Sequence, residues 1–350
     1  MTMTLDGVET TAPFRERDGL TYPFPNKPEP GKTVEVAPGI HWIRLPLPLQ
    51  LNHINVWLVD DGEGWAIVDT GIHSTESKNL WKQVFAHLGD RPITRVIVTH
   101  LHPDHVGLAG WLTHKHAVPL YMSRTDYLLC RTLVMDTGQP APEDGVLFYK
   151  AAGFPDDMLD VYRKRFGGFG SGVSRLPQSF HRLQDGQELV IGQHRWRIVV
   201  GRGHAPEHAC LWCPELKIMI SGDQILPRIS SNVSVFPTEP EADPLKEWLD
   251  SCKHLATLIP DHTLILPSHN EPFYGVKTRM AQLIDGHEEG LEKILHLCAT
   301  PKRAVDVFPA LFRTKITSGK LRHGHRRKPR PLELPDRAQK NQTHPRIRRS

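Results

Sequence analysis

The chain has 350 residues, 39% of them hydrophobic, with 30 prolines, 27 glycines, five cysteines and a formal charge of +4. An odd number of cysteines without regular spacing excludes a disulfide framework, and no apolar run reaches the roughly 18–20 residues of a membrane helix. The charge is lopsided: residues 315–350 carry 12 Lys/Arg against 2 Asp/Glu, so residues 1–314 are net acidic.

The opening stretch, MTMTLDGVETT, lacks the apolar centre of a secretory signal, so a cytoplasmic protein with reduced thiols is expected. Residues 1–30 read as a Pro-rich extension. Short apolar runs bounded by turn residues then predict strands at 40–45, 55–59, 65–69, 96–100 and 119–121. A second set follows at 188–191, 196–200, 209–213, 217–221 and 263–266. Helices are predicted after Ser74, a suitable N-cap, and over 244–258 and 276–297. Residues 124–172 show helical patterning at 126–134, 145–152 and 157–166, with many large apolar side chains. This insert returns to the same rim it leaves, so it is expected to overhang a cleft as a lid. Its Gly-rich end, 167–172, has no Lys and no strand–helix context for a phosphate loop, and reads as a hinge or linker. Two strand-rich halves separated by helices predict an α/β domain over 31–300, with two mixed sheets face to face and helices outside. A short helical segment at 301–314 precedes the basic tail, 315–350, which is too polar to pack and is expected to be disordered.

The chemistry is concentrated at strand ends. His100, His102, Asp104 and His105 fall within six residues, just after the apolar run Val96, Ile97, Val98. His204, Asp223 and His269 each follow a further apolar run. Neutral imidazoles and carboxylates are suitable ligands for Zn²⁺, and the same donors serve Fe or Mn. His208 lies four residues beyond His204, on the supporting or substrate side of the site. His114 and His116 are assigned to a helix end, and His73, His87, His254, His262, His287 and His296 to the surface. Cys210 and Cys213 sit three apart on a predicted strand, hence on opposite faces, and cannot chelate one ion. The irregular stretch 224–239 supplies a second cleft wall, where Arg228 and Asn232 are candidates for substrate binding, Arg228 for an anionic group.

At these motifs, from about Val36 to His269, the sequence resembles the metallo-β-lactamase-fold superfamily of hydrolases. The run Ala66, Ile67, Val68, Asp69, Thr70, Gly71 is similar to its early strand–turn element. The resemblance implies an αββα sandwich holding two divalent ions. His100, His102 and His204 would bind the first, Asp104, His105 and His269 the second, and Asp223 both; Asp69 would support the site from behind. Glu207 stands where many relatives carry Gly, and residues 301–312 look like the opening helix of a C-terminal helical module. Two metals sharing a bridging water lower its pKa towards neutrality, and the hydroxide would attack an acyl carbonyl, with Asp104 and Asp223 as the catalytic carboxylates. No Gly-x-Ser-x-Gly elbow competes with that mechanism. A bridging Asp fits the thioesterase-like pattern, similar to the hydroxyacylglutathione hydrolase branch, so an ester or thioester of a small acyl molecule is the expected substrate. A lactonase is the nearest alternative, followed by a β-lactamase and by a nuclease using the basic tail. Filled ligand positions argue against a non-enzymatic sensor, and neither a membrane nor a nucleic acid is an expected partner.

Overall fold

Strands that are apolar on both faces set the architecture of the computed structural model, which describes residues 14–48, 51–89 and 91–311. A short hairpin pairs β1 (Arg15–Arg17) with β2 (Leu20–Tyr22). The first large sheet contains β3 (Val34–Ala37), β4 (Ile40–Pro46), β5 (His53–Asp60), β6 (Trp65–Val68), β7 (Ile93–Ile97), β8 (Leu120–Ser123) and β9 (His181–Leu183), in that order. The second contains β10 (Glu188–Ile191), β11 (His194–Gly201), β12 (His208–Cys213), β13 (Ile218–Gly222) and β14 (Leu264–Pro267), also in order. Both sheets are mixed: antiparallel hairpins come first, and parallel pairs begin at β6–β7 and at β13–β14.

The helices are α1 (Thr75–Leu88), α2 (Pro103–Val106), α3 (Ala109–His116), α4 (Arg124–Met135), α5 (Glu143–Ala151), α6 (Asp156–Arg165), α7 (Pro244–Leu258), α8 (Val276–Leu297) and α9 (Ala304–Leu311). Alternation along β5 shows how the layers form. Ile54, Val56 and Leu58 join the core under α1 and α3, while Trp57 and Val59 join the core between the sheets. There Trp57 stacks on Trp42 with ring centroids 6.2 Å apart. A third core unites the outer face of the second sheet with α7 and α8. The result is helix, sheet, sheet, helix, as the patterning predicts. Among the described residues no helix is long and apolar enough to cross a membrane.

Two details differ from the expectations. Leu20, Tyr22 and Phe24 are buried, and Thr21 pairs with Tyr274, so residues 15–24 belong to the folded body and not to an extension reaching residue 30. Their alternate spacing is the signal that proline-rich composition obscured. The strand expected at 96–100 ends at Ile97, because the Thr99 N–H is taken by the Asp69 carboxylate at 2.8 Å and its carbonyl by Ala209 of β12. Ser74 does cap α1 through Ser77 N–H at 3.0 Å. In the lid, α4, α5 and α6 fall on the predicted helices, and 169–172 is a short 3₁₀ turn. Helix α9, within the 301–314 segment, packs against the lid: Val305 N–H meets the Ala152 carbonyl and Phe308 approaches Phe154 at 6.2 Å. The basic tail at 315–350 lies outside the described residues.

Candidate metal centre

Pro103 starts α2 directly after His102, since a proline needs no N–H at the first helical position. This single turn carries Asp104 and His105, with His102 at its start. Gly107 ends it where no side chain fits: a Cβ there would lie 2.3 Å from the Pro103 carbonyl oxygen. His204 enters from the loop after β11, Asp223 from the end of β13 and His269 from just beyond β14. The inner nitrogens of His100, His102 and His204 form a triangle with edges of 2.9, 3.1 and 3.2 Å. A tetrahedral ion with Zn–N bonds of roughly 2.0–2.1 Å separates its ligand nitrogens by about 3.3 Å, so the triangle fits one with small adjustment. Beside it, His269 Nε2 lies 3.4 Å from Asp104 Oδ2 and 3.3 Å from Asp223 Oδ1, and His105 Nε2 lies 3.5 Å from Asp223 Oδ1. Asp223 Oδ2 faces the other way, 3.3 Å from His204 Nε2. The two oxygens of Asp223 therefore address two neighbouring clusters. His105 Nε2 and Asp223 Oδ1 are buried without a hydrogen-bond partner, the sign of a site completed by cations.

The outer nitrogens are fixed as well. His105 Nδ1 lies 2.7 Å from Asp69 Oδ2, His204 Nδ1 2.7 Å from the Asn232 carbonyl, and His269 Nδ1 2.8 Å from the His53 carbonyl. His100 Nδ1 meets Thr99 Oγ1 at 3.1 Å. Such outer partners set the tautomer and the aim of each ring. Asp69 adopts a left-handed φ of 60°, uncommon outside glycine, and thereby reaches both Thr99 and His105. His208 is fully buried outside both clusters, and its Nε2 accepts the Asp223 N–H at 3.0 Å. Gly222 makes room for that ring, because a Cβ at its φ of 53° would come within 2.5 Å of His208.

The electrostatics favour cations. Burial and the neighbouring histidine rings push His100 well below the ordinary histidine value, leaving it neutral. Burial also opposes charge on His105 and His269, but the surrounding carboxylates outweigh it. Asp69, Asp223 and Asp104 raise His105 strongly, and Asp223 and Asp104 raise His269 to about 9. Burial likewise works against ionised Asp104 and Asp223, and the facing histidines hold both below the usual carboxylate range. The field that binds protons on these rings would bind a divalent ion in their place.

Residues 49–269 match the family model of the metallo-beta-lactamase superfamily. The chain belongs to that superfamily. Among solved structures, the beta-lactamase domain protein from Burkholderia ambifaria is 40% identical and covers 85% of this chain and 89% of its own, with a TM-score of 0.76. The probable metallo-hydrolase YqjP of Bacillus subtilis is 24% identical over 290 residues, 78% of this chain and 86% of its own. The acyl-coenzyme A thioesterase MBLAC2 of Gallus gallus is 25% identical over 245 residues, 67% and 79% of the respective chains. The metallo-beta-lactamase fold implies a divalent metal, and the histidine and aspartate donors present fit one.

An open cleft of about 2060 Å³ rises from the ligands, lined by Leu129, Leu133 and Phe169 of the lid and by Leu226, Arg228 and Phe236 opposite. Arg228 pairs with the buried carboxylate of Glu271, which Lys27 also reaches at 2.7 Å. Asn232 faces the cleft, but its carbonyl holds His204 and its amide donates to Ser234 Oγ at 2.7 Å. His87, His114, His254, His262 and His296 are exposed, while His73 and His116 are half-buried beside Lys78 and Phe85. His287, expected at the surface, is buried on α8 in line with Met280, Leu283 and Ile294, and meets Ser230 Oγ at 3.2 Å. Cys210 and Cys213 join different cores, on opposite faces of β12.

Sequence reasoning passed over His53, Asn55 and Asp126. Asn55 Nδ2 donates to the carbonyls of Pro267 and Asn270, both at 2.8 Å, stitching β5 to the His269 loop. An asparagine inside an otherwise apolar strand is the signal that could have found it.

Proposed function

We propose that the protein is a dinuclear metal-dependent hydrolase that cleaves an ester or thioester of an anionic acyl substrate. The observation that carries this reading is Asp223, whose two carboxylate oxygens face separate ligand clusters. Two divalent ions, most readily Zn²⁺, supply Lewis acidity and a water ionised near neutrality when bound. The chain's residues do the rest. Asp104 and Asp223 accept hydrogen bonds that orient the attacking water, and the partly exposed Asp104 faces the cleft. Apolar lid residues hold the acyl portion and exclude bulk water from the carbonyl. Arg228 lines the cleft and shares the carboxylate of Glu271 with Lys27, with Arg44 close to both, so positive charge is in excess there for an anionic substrate group. The relative named as an acyl-coenzyme A thioesterase supports the same bond type and an anionic leaving group.

The test is metal-loaded protein against acyl thioesters, aryl esters, lactones, a cephalosporin, an alkyl sulfate and a phosphodiester. Thioesters or esters should give the highest kcat/KM. Hydrolysis confined to lactones would put a lactonase in its place, and hydrolysis confined to any of the last three would overturn the ester or thioester reading.

A further inference from the structure

Helix α4, the first of the lid, begins with an unusual arrangement. Its flanking residue Ser123 makes no side-chain cap to the helix backbone, so the first-turn N–H groups look elsewhere for acceptors. The Thr125 N–H finds the Glu207 carboxylate at 3.0 Å, across 82 residues of sequence. Asp126, one residue further, is fully buried. Its Oδ1 accepts the Leu101 N–H at 3.0 Å, and its Oδ2 accepts the Glu207 N–H at 2.8 Å and the Ser123 hydroxyl at 3.0 Å. Leu101 lies between His100 and His102, and Glu207 follows His204 by three residues. One carboxylate thus grips, with different oxygens, the two loops that deliver the three-histidine triangle. Glu207 returns the grip to the helix, closing a reciprocal brace.

We propose that Asp126 and Glu207 are positioning residues of the metal centre, holding the His100–His102 loop and the His204 loop in register through α4. The inference rests on the metal-dependent reading above. Burial favours a protonated Asp126, the Glu207 and Leu101 N–H groups pull towards the ionised form, and the balance raises it to about 6. An ionised group has acceptors for all three donors, whereas an asparagine must turn its NH₂ towards one of them. The three nitrogens they align stand only 2.9–3.2 Å apart, so a small relative displacement of the loops changes the fit to one ion. Because the acceptors sit on the lid helix, movement of α4 would be felt at the ligands.

The full-length chain should be titrated with Zn²⁺ in competition with a chelator, with the Co²⁺ absorption spectrum as a report on ligand geometry and thermal melting of the apoprotein recorded alongside. Asp126→Asn is expected to weaken zinc binding by roughly 10–100-fold, in the range of losses seen when partners of metal ligands are removed, and to alter the cobalt spectrum. Glu207→Ala should weaken it by a smaller factor, and Glu207→Gln, which keeps an oxygen for the Thr125 N–H, should restore it. Ser123→Ala removes the one Asp126 partner that touches neither ligand loop, and should bind zinc like the wild type whatever its melting temperature. Wild-type affinity and an unchanged cobalt spectrum in Asp126→Asn would overturn the proposal, as would equal zinc losses in Ser123→Ala and Asp126→Asn. If Asp126→Asn does not fold, the Glu207 pair decides: unchanged affinity in Glu207→Ala, or no recovery in Glu207→Gln, overturns it. Wild-type protein that binds no zinc is a separate outcome, and it defeats the metal-dependent reading itself.

Discussion

On the floor of the cleft, His100, His105, His204 and His269 each have the outer nitrogen committed to a hydroxyl, carboxylate or carbonyl. In the lid above, Leu128, Leu147 and Met135 turn to solvent with 53%, 54% and 76% exposure. The floor is assembled from strand ends and the loops that leave them, with ring positions held by directional hydrogen bonds. The lid is assembled from short amphipathic helices that meet through side chains such as Tyr149 and Tyr162, with ring centroids 4.7 Å apart. Directional bonds locate the chemistry, and non-directional packing shapes the space for the substrate. Substitutions should therefore act very differently in the two regions.

The largest expected effect is on the floor. Asp104→Ala should abolish turnover by several orders of magnitude and reduce bound zinc from about two ions per chain towards one, as removal of a ligand from one half of a two-metal site requires. Circular dichroism should stay near wild type, because Asp104 is partly exposed and contributes little to any core. Elemental analysis and single-turnover assays check both halves; near-normal activity would remove Asp104 from the mechanism. Next comes His208→Ala, which frees the Asp223 N–H and should cost roughly 10–100-fold in metal affinity, read by chelator competition.

In the lid, the joint substitution Leu129→Ala and Leu133→Ala should raise KM for long acyl chains about tenfold relative to short ones while leaving kcat nearly constant. Removed apolar contacts are worth about 1–3 kcal/mol in such a pocket and are made equally in ground and transition states. A matching loss on short substrates would show that the lid serves the chemistry as well. Smallest of all, Leu128→Ser and Leu147→Ser should each change stability by no more than about 0.5 kcal/mol and leave activity alone, as for exposed positions generally. Chemical denaturation checks this, and a marked loss would show that these side chains are covered in solution.

The same contrast explains what could be read from the sequence. The candidate ligand residues were legible because their chemistry is rare and their positions follow apolar runs: His100 to His105, His204, Asp223 and His269 announce themselves. The lid helices were legible from the 3.6-residue periodicity of 126–134, 145–152 and 157–166. What sequence hides is reach across space. Nothing local in Asp126 tells that it holds Leu101 and Glu207, or in His53 that its carbonyl orients His269. His287 could have been placed, since it shares the α8 face with Met280 and Leu283. Arg228 was visible as a cation near the site, but its partner Glu271 is 43 residues away, and only the fold pairs them.

Asn55 has a further consequence, for the order in which the protein is made. It lies on an early strand of the first sheet, yet its side chain waits for carbonyls at Pro267 and Asn270, and its N–H for the carbonyl of Ser268. A nascent chain has no complete histidine triangle until His204 has emerged, and no second cluster until His269, which follows 65 residues later. At roughly 5–20 residues per second, translation separates the two events by about 3–13 s. During that interval the Pro267 and Asn270 carbonyls that Asn55 meets in the fold have not been made, the second sheet lacks β14, and the second cluster lacks His269. On the proposed two-ion reading, the three-histidine cluster would thus be complete before the second.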